Sequence, residues 1–151
     1  MIRNIIYGLT NLLLVFCLSE SVEAQVIHDV NVVDFNKLIN AEEGIILDVR
    51  TIDEVNAGHI EDATNINFYA SDFTAKLNLI RKDVPIYVYC RSGGRSAKAV
   101  QKMKELGFDK VYNLLGGFNA WESNNFKVIL SEGKIVQKQK SISVSEFSEM
   151  I

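Results

Sequence analysis

Cys90-Arg91-Ser92-Gly93-Gly94-Arg95-Ser96 follows the apolar run from Val84 to Tyr89 without a break. A β-type run that ends in a cysteine, enters a glycine-rich cationic loop and then turns helical near Ser96 sets one thiol under a cradle of backbone N–H groups. Such a cradle lowers a thiol pKa and binds an anion at the same point. The attacking species in cysteine chemistry is the thiolate, so a pKa of about 8.5 must fall toward neutrality. Arg91 and Arg95 supply positive charge that no accessible pH removes. A helix starting near Ser96 turns the positive end of its dipole toward the loop. Gly93 and Gly94 permit the tight fold that aims successive N–H groups at one point. Taken singly, each feature has a plain structural explanation: a lone cysteine is most often a small buried hydrophobe, and arginines are usually solvated. Their joint occurrence at a strand-to-helix junction favours chemistry on sulfur or phosphorus anions.

Spacing separates those two chemistries. Phosphatases of the cysteine type place five residues between Cys and Arg. Here position 96 is Ser and the Arg falls one earlier. The six-residue loop Cys90 to Arg95 is tight for phosphate and suits attack on a sulfane sulfur. No cluster of Cys and His has metal-ligand spacing, so neither a metal nor another cofactor is expected. The net charge of −3 gives no case for nucleic acid as a partner.

The chain of 151 residues, 48% hydrophobic and 23% charged, is the size and composition of one globular domain. Its first residues differ from the rest. Arg3 precedes a long apolar stretch from Ile5 to Leu18, followed by polar residues and the small-residue site Val22-Glu23-Ala24. This order predicts a signal peptide over residues 1–24 and an exported, periplasmic or extracellular protein. The alternative is an uncleaved N-terminal anchor, although the stretch is short for a membrane span and is broken by Gly8, Thr10 and Asn11. Lipidation of Cys17 is disfavoured by bulky Phe16 before it. Cleavage would remove Cys17 and leave Cys90 as the only thiol, with no internal disulfide available.

Alternating strand and helix patterns must position the loop. Val26 to Val30 predicts a first strand. Asn31 then caps a helix to about Asn40, with Asp34 in a capping-box-like position and Phe35, Leu38 and Ile39 as its apolar stripe. Ile45 to Val49 is a strand buried on both faces. Thr51 or Asp53 starts a short helical turn that Gly58 closes. Further strands are expected at Ala63–Phe68, Ile86–Cys90 and Val111–Leu114, the last of the set. Helices are expected at Ser71–Ile80 and Ser96–Leu106, with Ala97, Val100, Met103 and Leu106 on the inner face of the second. After the tight turn Gly116-Gly117, Phe118 to Trp121 opens a final helix. This alternation predicts an α/β fold, a mainly parallel central sheet with helices on both faces, and a site at the carboxyl ends of the strands. Asp48 and Arg50, Cys90, and Leu114 to Gly116 sit at those ends. Ile142 to Ile151 echoes Val30 to Ile39, with a capping box of Ser143 and Glu146. It is expected to be a C-terminal helix on the domain. The alternative is the stub of a second α/β domain, joined by Ser131 to Lys140 as a linker.

The motifs resemble those of a single-domain rhodanese, over about residues 28–125 and within a domain of residues 25–130. Leu47-Asp48-Val49-Arg50 with Glu54, Gly58-His59-Ile60 with Ala63 to Ile66, the loop Cys90 to Arg95 with Ser96-Ala97, and Leu115-Gly116-Gly117-Phe118 with Trp121 carry the resemblance. Glu61-Asp62 departs from the Pro-Gly of many members. The resemblance implies a three-layer rhodanese-like fold and a sulfurtransferase in which Cys90 is the nucleophile and becomes a persulfide. It implies that N–H groups of Arg91, Ser92, Gly93, Gly94 and Arg95 hold that persulfide, and that Arg91 and Arg95 attract an anionic donor such as thiosulfate. Asp48, Arg50 and His59 are implied to be loop supports. The acceptor would be a low-molecular-weight thiol or a thioredoxin-like protein. A persulfide carrier or rhodanese-like binding module acting with a partner is the alternative.

Overall fold

The computed structural model describes residues 26–41, 43–130 and 135–136. The leader-like residues 1–24 and the tail from Ser141 to Ile151 lie outside them. The described chain runs β1 (Val26–Val30), α1 (Val32–Ala41), β2 (Ile45–Asp48), α2 (Ile52–Asn56), β3 (Thr64–Asn65), α3 (Phe73–Leu77), β4 (Ile86–Tyr89), α4 (Gly94–Glu105), β5 (Lys110–Leu114), α5 (Gly117–Ser123), β6 (Val128–Ile129) and β7 (Ile135–Val136). The first five strands form one parallel sheet in the order β1-β5-β4-β2-β3.

Period-two alternation divides the core into two layers. Ile86 and Val88 of β4, and Cys90 just past its end, face a cluster completed by Phe73 and Leu77 of α3 and by Ala99, Val100 and Met103 of α4. Tyr87 and Tyr89 face the other way, onto Val32 and Phe35 of α1 and Phe118 and Trp121 of α5. Both faces of the sheet are therefore covered, as the near-continuous apolar strands require. Among the described residues, no helix is long and apolar enough to cross a membrane.

Strand order locates the crevice. From β2 the chain moves outward to β3, whereas from β4 it moves the opposite way to β5. The carboxyl ends of neighbours β2 and β4 lie where connections diverge, and ligands bind at such a switch point. Asp48 ends β2 and pairs in register with Tyr89, directly before Cys90.

Several local expectations need correction. The strand over 63–68 is only Thr64–Asn65. Tyr69 N–H bonds to Asn67 Oδ1 at 3.0 Å and turns the chain away. The helix over 71–80 is only Phe73–Leu77, because Leu79 and Ile80 N–H groups reach back three residues, to Lys76 and Leu77, and tighten the end. Helix α4 starts at Gly94 instead of Ser96: Gly93, at φ +101°, is its N-cap, and the Ala97 N–H closes the first turn on Gly93 O at 3.0 Å. That shift puts Ser96 and Ala99 on the inner face with Val100 and Met103, and leaves Ala97 exposed. Finally, β5 is not the last strand, since β6 and β7 form a small antiparallel pair.

Candidate active site

Cys90 is a free thiol, buried at the carboxyl end of β4. Its Sγ accepts the Gly93 N–H at 3.1 Å and lies 3.5 Å from the Ser96 hydroxyl. Burial pushes the thiol pKa up. The Ser96 hydroxyl and the N–H groups of Ser96, Ser92 and Gly93 outweigh that and bring it below its ordinary value. Hydrogen bonds thus do most of what the arginine charges were expected to do.

The Ser96 hydroxyl has one proton and two acceptors in reach, Gly93 O at 3.0 Å and Cys90 Sγ. A thiolate is the stronger acceptor, so the proton can follow the charge as Cys90 ionises. In a Ser96→Ala variant, the midpoint of Cys90 alkylation against pH is expected to move upward. Alkylation at neutral pH should slow by about threefold to tenfold, the worth of one hydrogen bond.

The loop is shaped from behind by α5. Phe118 N–H donates to Cys90 O at 2.7 Å and Asn119 N–H to Arg91 O at 3.0 Å. With those two carbonyls drawn outward, the following N–H groups are free to face the sulfur. Gly117 makes this approach possible: a Cβ there would strike Cys90 O, and would meet Arg91 C and Ser92 N at 2.8 Å. In the loop itself the glycines differ. Gly93 needs its positive φ, whereas Gly94 does not and has open space where a Cβ would be.

Below the loop, Asp48 and Arg50 form a buried pair at 2.6 Å. Arg50 also donates to Gly58 O at 2.7 Å, and its guanidinium lies 4.0 Å from the centre of the Phe118 ring. The Tyr89 hydroxyl accepts the Ile60 N–H at 3.2 Å, while burial and Asp48 push its pKa up and keep it neutral. Asp48 and Arg50 therefore tie the end of β2 to the Gly58–Ile60 turn and to α5, and reach the loop through Phe118. His59 sits on that turn. Its N–H and C=O both pair with Ile129 at 2.9 Å, and its Nδ1 is 3.2 Å from Val55 O.

Arg91 and Arg95 are treated differently. Arg91 is exposed. Arg95 turns to α2 and forms a two-pronged pair with Glu54 at 2.6 and 2.7 Å. The Arg95 hydrogen bonds, against some burial and helped by Thr51, hold the Glu54 carboxyl at about 2 instead of its usual 4.5. A carboxyl lowered on folding stabilises above its unfolded pKa and loses that contribution as pH falls through the folded one. Wild type should accordingly be more stable than Glu54→Gln near neutral pH. The gap should close between about pH 4.5 and 2, as followed by circular dichroism during acid unfolding.

Beside the loop, Arg50, Glu54, Arg91, Phe118, Asn119 and Glu122 help line a cavity of about 130 Å³. Among the described residues, no group of His, Cys, Asp and Glu could hold a metal ion. The loop thus holds Cys90, Arg91, Ser92 and Gly93, Gly94 and Arg95 open α4, and Asp48 and Arg50 lie beneath, whereas His59 is engaged with Val55 and Ile129 on the Gly58–Ile60 turn. Sequence reasoning overlooked Ser96 as a partner of the sulfur and Gly117 as the floor of the loop. A hydroxyl on the otherwise apolar inner face of α4, beside Ala99, Val100 and Met103, was the available signal for the first.

The profile of the Rhodanese-like domain family matches residues 31–124. The chain is 41% identical over 76 residues to the uncharacterized protein YqhL of Bacillus subtilis, across 50% of this chain and 59% of that protein, which is less than two thirds of its length. It is 36% identical over 89 residues to the thiosulfate sulfurtransferase GlpE of Shewanella oneidensis, across 59% of this chain and 86% of that one. Among solved structures, a rhodanese-related protein from Thermoplasma volcanium superposes with a TM-score of 0.62 at 31% identity, covering 69% of this chain and 99% of the other. With its parallel three-layer fold and a cysteine loop cradled at the carboxyl end of β4, this chain belongs to the rhodanese-like domain family of sulfurtransferases.

Proposed function

We propose that the protein transfers a sulfane sulfur from thiosulfate, or a similar small anionic donor, to a thiol acceptor through a persulfide on Cys90. The observation that carries this is the thiol itself: buried, lowered in pKa, and ringed by the Gly93 N–H and the Ser96 hydroxyl. In the first half-reaction the Cys90 thiolate attacks the outer sulfur of thiosulfate. The S–S bond breaks, its electron pair leaves with sulfite, and Cys90 holds a perthiolate. The cradle that stabilised the thiolate then holds the terminal sulfur. In the second, an acceptor thiolate attacks that outer sulfur and the pair returns to Cys90 as thiolate. A nucleophile poised in this way needs no separate general base, which is consistent with His59 being engaged elsewhere.

Intact-mass spectrometry after thiosulfate treatment should show one added sulfur per chain, lost again on adding a dithiol. A protein with a free Cys90 thiol that gains no sulfur would overturn the proposal. Steady-state turnover with thiosulfate and cyanide or a dithiol separates an enzyme from a persulfide carrier: a carrier loads but turns over slowly with small acceptors. The leader-like pattern of residues 1–24 supports export as the setting. The acceptor would then be an exported thioredoxin-like protein or a low-molecular-weight thiol. N-terminal sequencing of the native protein should begin after Ala24; a start at Met1 would favour the retained anchor.

A further inference from the structure

The two arginines of the loop do not present equal charge to an incoming donor. Arg95 offers both terminal nitrogens to the two oxygens of Glu54, and its guanidinium lies 5.6 Å from the centre of the Tyr69 ring. Only 16% of the Arg95 side chain and 20% of the Glu54 side chain are exposed. Glu54 is held in place independently: its carboxylate accepts from the Thr51 N–H and hydroxyl, both at 3.1 Å, in a capping box that starts α2. A two-pronged, partly buried pair on a fixed carboxylate is well ordered, unlike a solvated surface pair. Arg91, by contrast, is exposed and forms no ion pair among the described residues, although the Glu122 carboxylate lines the same cavity.

We propose that Glu54 is a specificity-determining residue. By neutralising Arg95 it leaves the loop with one uncommitted cation, Arg91, and so matches the site to singly charged sulfur donors over dianionic thiosulfate. The class is an organic thiosulfonate or a persulfide anion. The inference rests on the persulfide chemistry proposed above and names its donor. With a thiosulfonate, the Cys90 thiolate attacks the terminal sulfur, the S–S bond breaks, and the electron pair leaves on a sulfinate. With a persulfide it leaves on a thiolate. No oxidant or reductant is required in either case.

The experiment compares kcat/KM for methanethiosulfonate and for thiosulfate in wild type, Glu54→Gln, Arg95→Gln and the double variant. Glutamine can occupy the same place in a capping box, so α2 should persist. Releasing Arg95 in Glu54→Gln should improve thiosulfate relative to methanethiosulfonate by about threefold to tenfold at low ionic strength, mainly through KM. That gain should shrink at about 0.5 M salt. Arg95→Gln leaves a bare carboxylate and should move the ratio the other way. The double variant should return it close to wild type. An unchanged ratio in Glu54→Gln, an equal loss of kcat with both donors, or a shift that persists without Arg95 would each overturn the proposal. If wild type forms a persulfide with neither donor, it is the chemistry of the previous section that fails. The charge argument is then decided by how well the same two anions protect Cys90 from iodoacetamide, with the same pattern across variants required.

Discussion

A Cys90→Ser variant is expected to transfer no sulfur, with turnover down by about a thousandfold or more, while remaining folded. Serine keeps the small buried volume at the end of β4, so the core around Val88, Ala99 and Val100 is undisturbed. What it loses is the ionisable sulfur. A hydroxyl has no low-pKa anion to attack with, and it cannot carry a second sulfur as a persulfide. The Gly93 and Ser96 donors remain around the oxygen. The variant should therefore add no sulfur in intact-mass spectra after thiosulfate treatment, yet unfold at close to the wild-type temperature. Residual turnover within tenfold of wild type would move the chemistry away from Cys90 altogether.

The second large effect is expected far from any reacting atom. Gly117→Ala puts a methyl group against Cys90 O, Arg91 C and Ser92 N, all backbone atoms that no side-chain rotation can clear. The position also has φ +56°, where any L-residue with a Cβ is strained. Overpacking and backbone strain together cost roughly 2 to 5 kcal/mol, or about 4 to 8 °C of Tm for each kcal/mol in a domain of roughly 100 residues. The chain relieves the contact by moving the loop away from α5. That would stretch the Phe118 N–H to Cys90 O bond of 2.7 Å and the Asn119 N–H to Arg91 O bond of 3.0 Å. The N–H cradle then loses its shape, and turnover should fall by about a hundredfold or more. Calorimetry together with thiosulfate turnover checks both parts. Gly94→Ala, at a position with open space, is the matched control. Wild-type turnover in Gly117→Ala would mean that the loop does not depend on its seat against α5.

The parts of the molecule legible from sequence were those set by local rules. The runs Ile45 to Val49 and Ile86 to Cys90 alternate onto two apolar layers, and no surface strand could satisfy them. The Asn31–Asp34 cap forms as its spacing indicates, at 2.8 and 3.0 Å. What misled were segments whose ends depend on distant partners. Beyond Thr64–Asn65 the ladder turns irregular: the Asn65 side-chain amide takes the carbonyls of Asp48 and Arg50, both at 2.9 Å, while the backbone keeps only the Ile66 N–H to Asp48 O and Phe68 N–H to Val49 O bonds before the turn at Asn67. Ser96 was expected to open the helix. It lies inside the helix because Gly93 takes the cap position.

By itself, the sequence determined that a thiol would stand at a strand-to-helix junction, because the apolar β-type run ends at Cys90 and Gly93-Gly94 favour a turn over a strand. The Cys-to-Arg spacing further narrowed the anion to sulfur. Only the tertiary structure decided which groups act on that thiol. Ser96, not an arginine, is the strongest influence lowering its pKa. Arg95 is committed to Glu54, 41 residues away in the chain, and Gly117 seats the loop from another helix. Hydrogen bonds and ion pairs act over about 3 Å, and sequence spacing says nothing about which distant groups the sheet brings to that range.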